Sequence, residues 1–87
     1  MVLVVIFGKK VKIMFHLWTK RQSDNYVIFT TEIYPDIFGY SFETMIYNDN
    51  TQEFLDFQER YKNCTQALNG HIRTIRKLDE ILCKEGK

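Results

Sequence analysis

Proline occurs once in this chain, cysteine twice and glycine four times among 87 residues, and the formal net charge is only +1. With 45% hydrophobic and 15% aromatic residues, the chain has too little Pro and Gly and too much Phe and Tyr for a disordered or low-complexity segment. Eighty-seven residues suffice for one hydrophobic core and not two, so residues 1–87 are read as a single domain. Twelve basic residues against 11 acidic exclude the strong field of a typical nucleic-acid binder or of an acidic mimic of DNA. The balance is local as well, with five of each sign in residues 1–50 and seven basic to six acidic in residues 51–87.

The scarce cysteines exclude a disulfide framework. Cys64 and Cys83 fall on one predicted helix, 19 residues and about 28 Å apart, far beyond disulfide reach. Free thiols imply a reducing cytoplasm, and there the Asn63-Cys64-Thr65 glycosylation pattern goes unused. His16, His71 and the two cysteines have no metal-ligand spacing, so no metal and no cofactor is expected. Long hydrophobic runs are lacking too. Met1–Phe7 is seven residues against the roughly 20 of a membrane span, without the basic flank or cleavage site of a signal peptide, so no membrane partner is expected. Its β-branched content reads as a strand closed by Gly8-Lys9-Lys10, the rival reading being an extension upstream of a start at Met14.

What is present is alternation. Val11, Ile13, Phe15 and Leu17 form one face of a strand over 11–20, with Lys12, Met14, His16 and Trp18 on the other. The polar cluster Arg21–Asn25 turns the chain into a strand over Tyr26–Tyr34, which Pro35-Asp36 stops. Tyr40–Tyr47 makes a fourth strand, with Phe42, Thr44 and Ile46 opposite Glu43, Met45 and Tyr47. Residues 48–62 read as a connecting loop.

From Asn63 the period changes. Asn63 and Gln66 fit a capping box, and taking 100° per residue puts Cys64, Ala67, Leu68, Ile75, Leu78 and Leu82 within roughly 60° of His71. The expected fold class is α+β: an antiparallel β-meander of three to four strands, over about 2–47, packed against one long C-terminal amphipathic helix over about 63–84.

His71 lies at the centre of the sheet-facing side, either as a hydrogen-bonded core histidine or in a pocket where it pairs with Glu43 or a Tyr hydroxyl. Gly70, costly inside a helix by about 1 kcal/mol, marks a close approach by the sheet, an aromatic ring, a partner or a ligand. The candidate pocket comprises His71, Gly70, Glu43, Thr44, Arg60 and Tyr61. No catalytic residue is expected, since Cys64 lacks a base and an exposed pocket. One helix covers one sheet face, so Met14, Trp18, Tyr26, Ile28, Met45 and Tyr47 are candidates for exposure or for contact with another chain. With the basic helix residues Arg73, Arg76 and Lys77, Trp18, Tyr26, Met45 and Tyr47 form the candidate interface.

Glu43-Thr44-Met45-Ile46-Tyr47, Arg60-Tyr61, then Ala67, Gly70-His71 and Ile75 resemble a group of short proteins encoded by phages and prophages of Gram-positive bacteria. The resemblance covers about half the chain; Asn69 and the aromatic N-terminal half depart from it. It implies an accessory protein of a mobile element, and such small proteins often bind and block a host or defence protein. The leading expectation is therefore a non-enzymatic protein of this kind, its partner another protein or a second copy of the chain. The alternative is a small-ligand binder that sequesters a nucleotide, and nucleic-acid binding stands third.

Overall fold

The computed structural model describes residues 2–7 and 10–85. In chain order the elements are β1 (Val2–Phe7), β2 (Lys10–Arg21), β3 (Tyr26–Glu32), β4 (Phe42–Asn48), β5 (Glu53–Tyr61), α1 (Cys64–Arg76) and α2 (Leu78–Lys84). The class is α+β, and every strand pairs antiparallel with its sequence neighbour, the order being β1-β2-β3-β4-β5. β2 is shared lengthwise: its first half, to Phe15, pairs with β1, and its second half, from His16, pairs with β3. Strands β2 to β5 thus form a four-stranded sheet beneath the helices. At about 3.4 Å per residue the 12-residue β2 reaches about 40 Å, which accounts for most of the molecule's 45 Å long axis. The turn expected at Gly8-Lys9-Lys10 lies at Gly8 and Lys9 outside the described residues.

Two expectations are corrected. Residues 48–62 are not a connecting loop, because β5 occupies Glu53–Tyr61. Leu55, Phe57, Glu59 and Tyr61 alternate with exposed Asp56, Gln58 and Arg60, but acidic and amide residues of low strand propensity mask the period. A bulge masks it further: Met45 pairs with Gln58 and Tyr47 with Phe54, so Leu55, Asp56 and Phe57 together oppose Ile46. The second correction concerns the helix, which is not continuous from 63 to 84 but is interrupted at Lys77, between the 13-residue α1 and the seven-residue α2. Thr74 Oγ1 donates to the Gly70 carbonyl at 2.8 Å in the last turn of α1, a back-bond of the kind that slightly destabilises a helix. The start follows the capping reading: Asn63 Oδ1 accepts from Gln66 N–H at 2.9 Å, while Gln66 Oε1 reaches Lys62 N–H at 3.1 Å, one residue further back than the standard box.

The core has two apolar nests. Ile28, Ile46 and Leu78 form one, surrounded by Tyr26, Leu55, Phe57, Ile81 and Leu82. Phe42, Tyr61 and Ala67 form the other, with Phe15 against them. Between them on the same sheet face lie Thr30 and Thr44, paired in register.

α1 is rolled relative to the apolar-stripe expectation. Its buried residues are Ala67, Gly70, His71 and Thr74, whereas Leu68, Ile72 and Ile75 stay 39–45% exposed and Cys64 lies outside. The roll brings Gly70 against Tyr61. A Cβ on Gly70 would lie 2.2 Å from Tyr61 Cζ, so the phenol ring occupies the space that any side chain at 70 would need. Tyr61 is 5% exposed and hydrogen-bonded through its hydroxyl, and it has no room to swing away.

Gly70→Ala should therefore lower stability by ~2 kcal/mol despite the better helix propensity of Ala. Urea unfolding of the wild type, Gly70→Ala, Tyr61→Leu and Gly70→Ala/Tyr61→Leu measures this; a stabilised Gly70→Ala would disprove the close contact, and a smaller loss from Gly70→Ala in the Tyr61→Leu background than in the wild type identifies the ring as its cause.

Candidate functional site

Under α1 a hydrogen-bonded belt crosses the sheet from β2 to β5. Thr19 Oγ1 is 3.0 Å from His71 Nε2, and Thr30 Oγ1 is 2.7 Å from His71 Nδ1. Thr30 and Thr44 hydroxyls meet at 2.5 Å, Thr44 and Tyr61 at 3.0 Å, and Tyr61 and the Glu59 carboxylate at 2.7 Å. Arg73 closes the belt on Glu59.

The proton of every link follows from its last member, because an ionised carboxylate only accepts. Tyr61 has one proton and gives it to Glu59, so it accepts from Thr44. Thr44 has then spent its own proton and accepts from Thr30, which in turn accepts from His71 Nδ1–H. Nε2 is left to accept from Thr19. His71 is thereby a neutral Nδ1–H tautomer, 4% exposed, and no buried polar side-chain atom among the described residues lacks a partner.

Burial is the main force holding the His71 pKa below its ordinary 6.5, with His16 adding in the same direction. Burial likewise pushes the Tyr61 phenol up to about 12; Glu59 reinforces this and the Thr44 hydrogen bond opposes it. The belt holds imidazole and phenol neutral and keeps them away from solvent.

Residues of the candidate pocket do not converge. His71, Gly70, Thr44 and Tyr61 meet under α1, but Glu43 alternates with Thr44 and faces the other side of the sheet, where Arg60 Nε bonds it at 2.8 Å and Gln58 at 2.9 Å. His71 pairs with neither Glu43 nor a Tyr hydroxyl; its two partners are threonines. Arg60 also donates to Asp36 Oδ2 at 3.0 Å. Desolvation alone would raise the Asp36 pKa, but the Tyr40 and Phe38 amides and Arg60 outweigh it and hold the carboxyl below its ordinary value.

The sheet face away from the helices is aromatic. Trp18, Phe29 and Met45 lie in one register row, with Tyr47 and Phe54 paired alongside. His16 and Phe29 have ring centroids 5.9 Å apart, Phe29 and Tyr47 6.4 Å, and Tyr47 and Phe54 4.9 Å. Trp18 is 49% and Phe54 55% exposed. Trp18, Met45 and Tyr47 of the candidate interface lie here. Tyr26 does not: it packs on the Ile28, Ile46, Leu78 nest, and Ile28 itself is 2% exposed. Arg73, Arg76 and Lys77 lie on the exposed side of the helix layer, so the basic residues and the sheet aromatics occupy opposite surfaces. Phe29 and Phe54 were missed; Phe29 is legible from its alternation with Ile28, Phe54 only once β5 is recognised.

Cys64 and Cys83 are free and exposed, and among the described residues no three His, Cys, Asp or Glu side chains converge as metal ligands. Nor, among those residues, is any helix long and apolar enough to cross a membrane. Comparison with protein-family models, curated proteins and solved structures finds no match to this chain.

The tautomer argument carries a pH dependence. With its native pKa below 6.5, His71 binds fewer protons folded than unfolded, so its contribution is fully present above pH 6.5 and is lost as pH falls through 6.5 toward the native value. Stability should drop by up to about 1.4 kcal/mol per pH unit in that window. Denaturant titrations at a series of pH values should show this slope in the wild type and its absence in His71→Gln; equal slopes would disprove the buried neutral imidazole.

Proposed function

We propose that this chain is a non-enzymatic binding protein that docks its open sheet face on a different protein. In keeping with its resemblance to short phage and prophage proteins, it acts as a mobile-element accessory that engages and blocks a host or defence protein. The observation carrying this reading is the row of Trp18, Phe29 and Met45 with Tyr47 and Phe54 on a sheet face that neither helix covers. Aromatic side chains of this size bury about 150–250 Å² each, and Trp and Tyr dominate binding energy at protein interfaces.

The charges bordering that face argue against the competing readings. Lys20 is paired with Asp49 at 3.1 Å, and Arg60 with both Glu43 and Asp36. A nucleic-acid surface needs free cations beside its stacking aromatics, and here these two are neutralised. A nucleotide-sequestering site needs them as well. The hollow that contains Arg60 and Tyr61 also holds Arg73 and Glu59, and both its guanidinium groups already carry a carboxylate partner.

Trp18→Ser and Tyr47→Ser should each weaken binding of the partner by about tenfold or more; Trp18→Ser leaves the unfolding temperature close to wild type, whereas Tyr47→Ser lowers it through lost contacts with Phe29 and Phe54. The test starts with wild-type and variant baits in extracts of a Gram-positive host. A protein retained by the wild type alone is then purified and titrated calorimetrically against both. The reading fails if no protein discriminates between the baits, or if native mass spectrometry shows a retained nucleotide whose loss follows the hollow at Arg60 and Arg73 instead.

A further inference from the structure

The nine residues between β3 and β4, 33–41, exceed what a hairpin link requires. At their tip Tyr34, Ile37 and Phe38 are 94%, 92% and 69% exposed. Resting on the docking reading above, we propose that this tip is a preformed anchor that inserts Ile37 and Phe38 into an apolar socket on the partner protein.

The tip is built, not slack. Asp36 Oδ1 accepts from the amides of Phe38 at 2.9 Å and Tyr40 at 3.0 Å. The Asp36 carbonyl accepts from Gly39 N–H at 3.0 Å, and the Asp36 amide donates to the Tyr40 carbonyl at 3.1 Å. Gly39 takes φ +83°, a conformation that suits glycine, and Arg60 clamps Asp36 from β5. Every one of these bonds is made by backbone or by Asp36, which leaves the apolar side chains pointing at solvent with their backbone already fixed. Binding through them incurs little of the ordering cost that a flexible loop would meet.

Three observations identify the occupant. A convex apolar tip needs a concave apolar socket, and three hollows on this chain's own described surface are lined with charge. One includes Glu53, Asp56 and Glu85, and the other two share Glu59 and Arg73. None of these three hollows therefore offers a second copy an apolar socket. A lipid surface is disfavoured because the tip carries an acid, Asp36, while the cations beside it are already engaged, Arg60 by two carboxylates and Lys62 by the Tyr40 ring at 5.3 Å. Finally, Arg60 bridges Glu43 on the open sheet face to Asp36 in the tip, so the aromatic face and the anchor are continuous and one protein can cover both.

The experiment compares the full-length wild type, Ile37→Ser/Phe38→Ser, Asp36→Ala and Trp18→Ser by calorimetric titration with the partner purified in the preceding test. The same proteins are sedimented with phosphatidylcholine/phosphatidylserine vesicles and sized by light scattering. Ile37→Ser/Phe38→Ser should lose at least about tenfold in affinity with an unchanged unfolding temperature, and Asp36→Ala should lose less, because it frees the loop but keeps its side chains. Wild-type affinity in Ile37→Ser/Phe38→Ser overturns the anchor while leaving the docking reading intact, provided that Trp18→Ser still binds weakly. Unchanged affinity in Trp18→Ser as well, or no partner recovered, sinks both. Vesicle binding that Ile37→Ser/Phe38→Ser abolishes overturns the anchor in favour of lipid, and a dimer that it dissociates overturns it in favour of a second copy.

Discussion

The 2.7 Å contact between His71 Nδ1 and Thr30 Oγ1 fixes the helix over the centre of the sheet, and most of the architecture depends on it. Apolar packing alone would let α1 slide or roll, since Leu68, Ile72 and Ile75 could be buried as readily as Ala67, Gly70 and Thr74. An imidazole placed 4% exposed cannot leave its nitrogens unpaired, because an unsatisfied buried donor or acceptor costs about 1–3 kcal/mol. Only one roll puts both nitrogens on threonine hydroxyls. Gly70 then faces Tyr61, and the absence of a side chain there permits the approach.

The belt also pins strand register. Thr30, Thr44 and Glu59 are mutually paired across β3, β4 and β5, and a slip by one residue would turn each onto the opposite face. It would at the same time carry the open-face aromatics into the helix layer. The helix side thus defines which residues are displayed on the other side. Stability and display occupy different faces of one sheet, and substitutions at Trp18 or Tyr47 leave the helix layer intact.

Much of this was legible in the sequence. Alternation located β2, β3 and β4, Asn63 and Gln66 marked the helix start, and His71 was read as central to the buried side. β5 was hidden because its inward residues include Glu59 and its period breaks at the bulge opposite Ile46. The helix roll was hidden because placing residues at 100° intervals weighs hydrophobicity, whereas the hydrogen bonds of both His71 nitrogens to threonines, with Gly70 leaving room for the Tyr61 ring, decided the outcome. The belt was hidden for a related reason. Threonine is common in strands for its shape, and nothing in Thr19, Thr30 or Thr44 shows which hydroxyls will share an imidazole.

Because Glu59 can only accept, the direction of every hydrogen in the belt is set from one end, and its members are not interchangeable parts. Replacing Thr44 with Val strands Tyr61 on one side and Thr30 on the other, so the second change needed to repair it lies on a different strand. Sequence drift in this protein is accordingly of two kinds. Open-face positions can be substituted one at a time without unpairing a buried hydroxyl, while the belt must be exchanged as a set or kept.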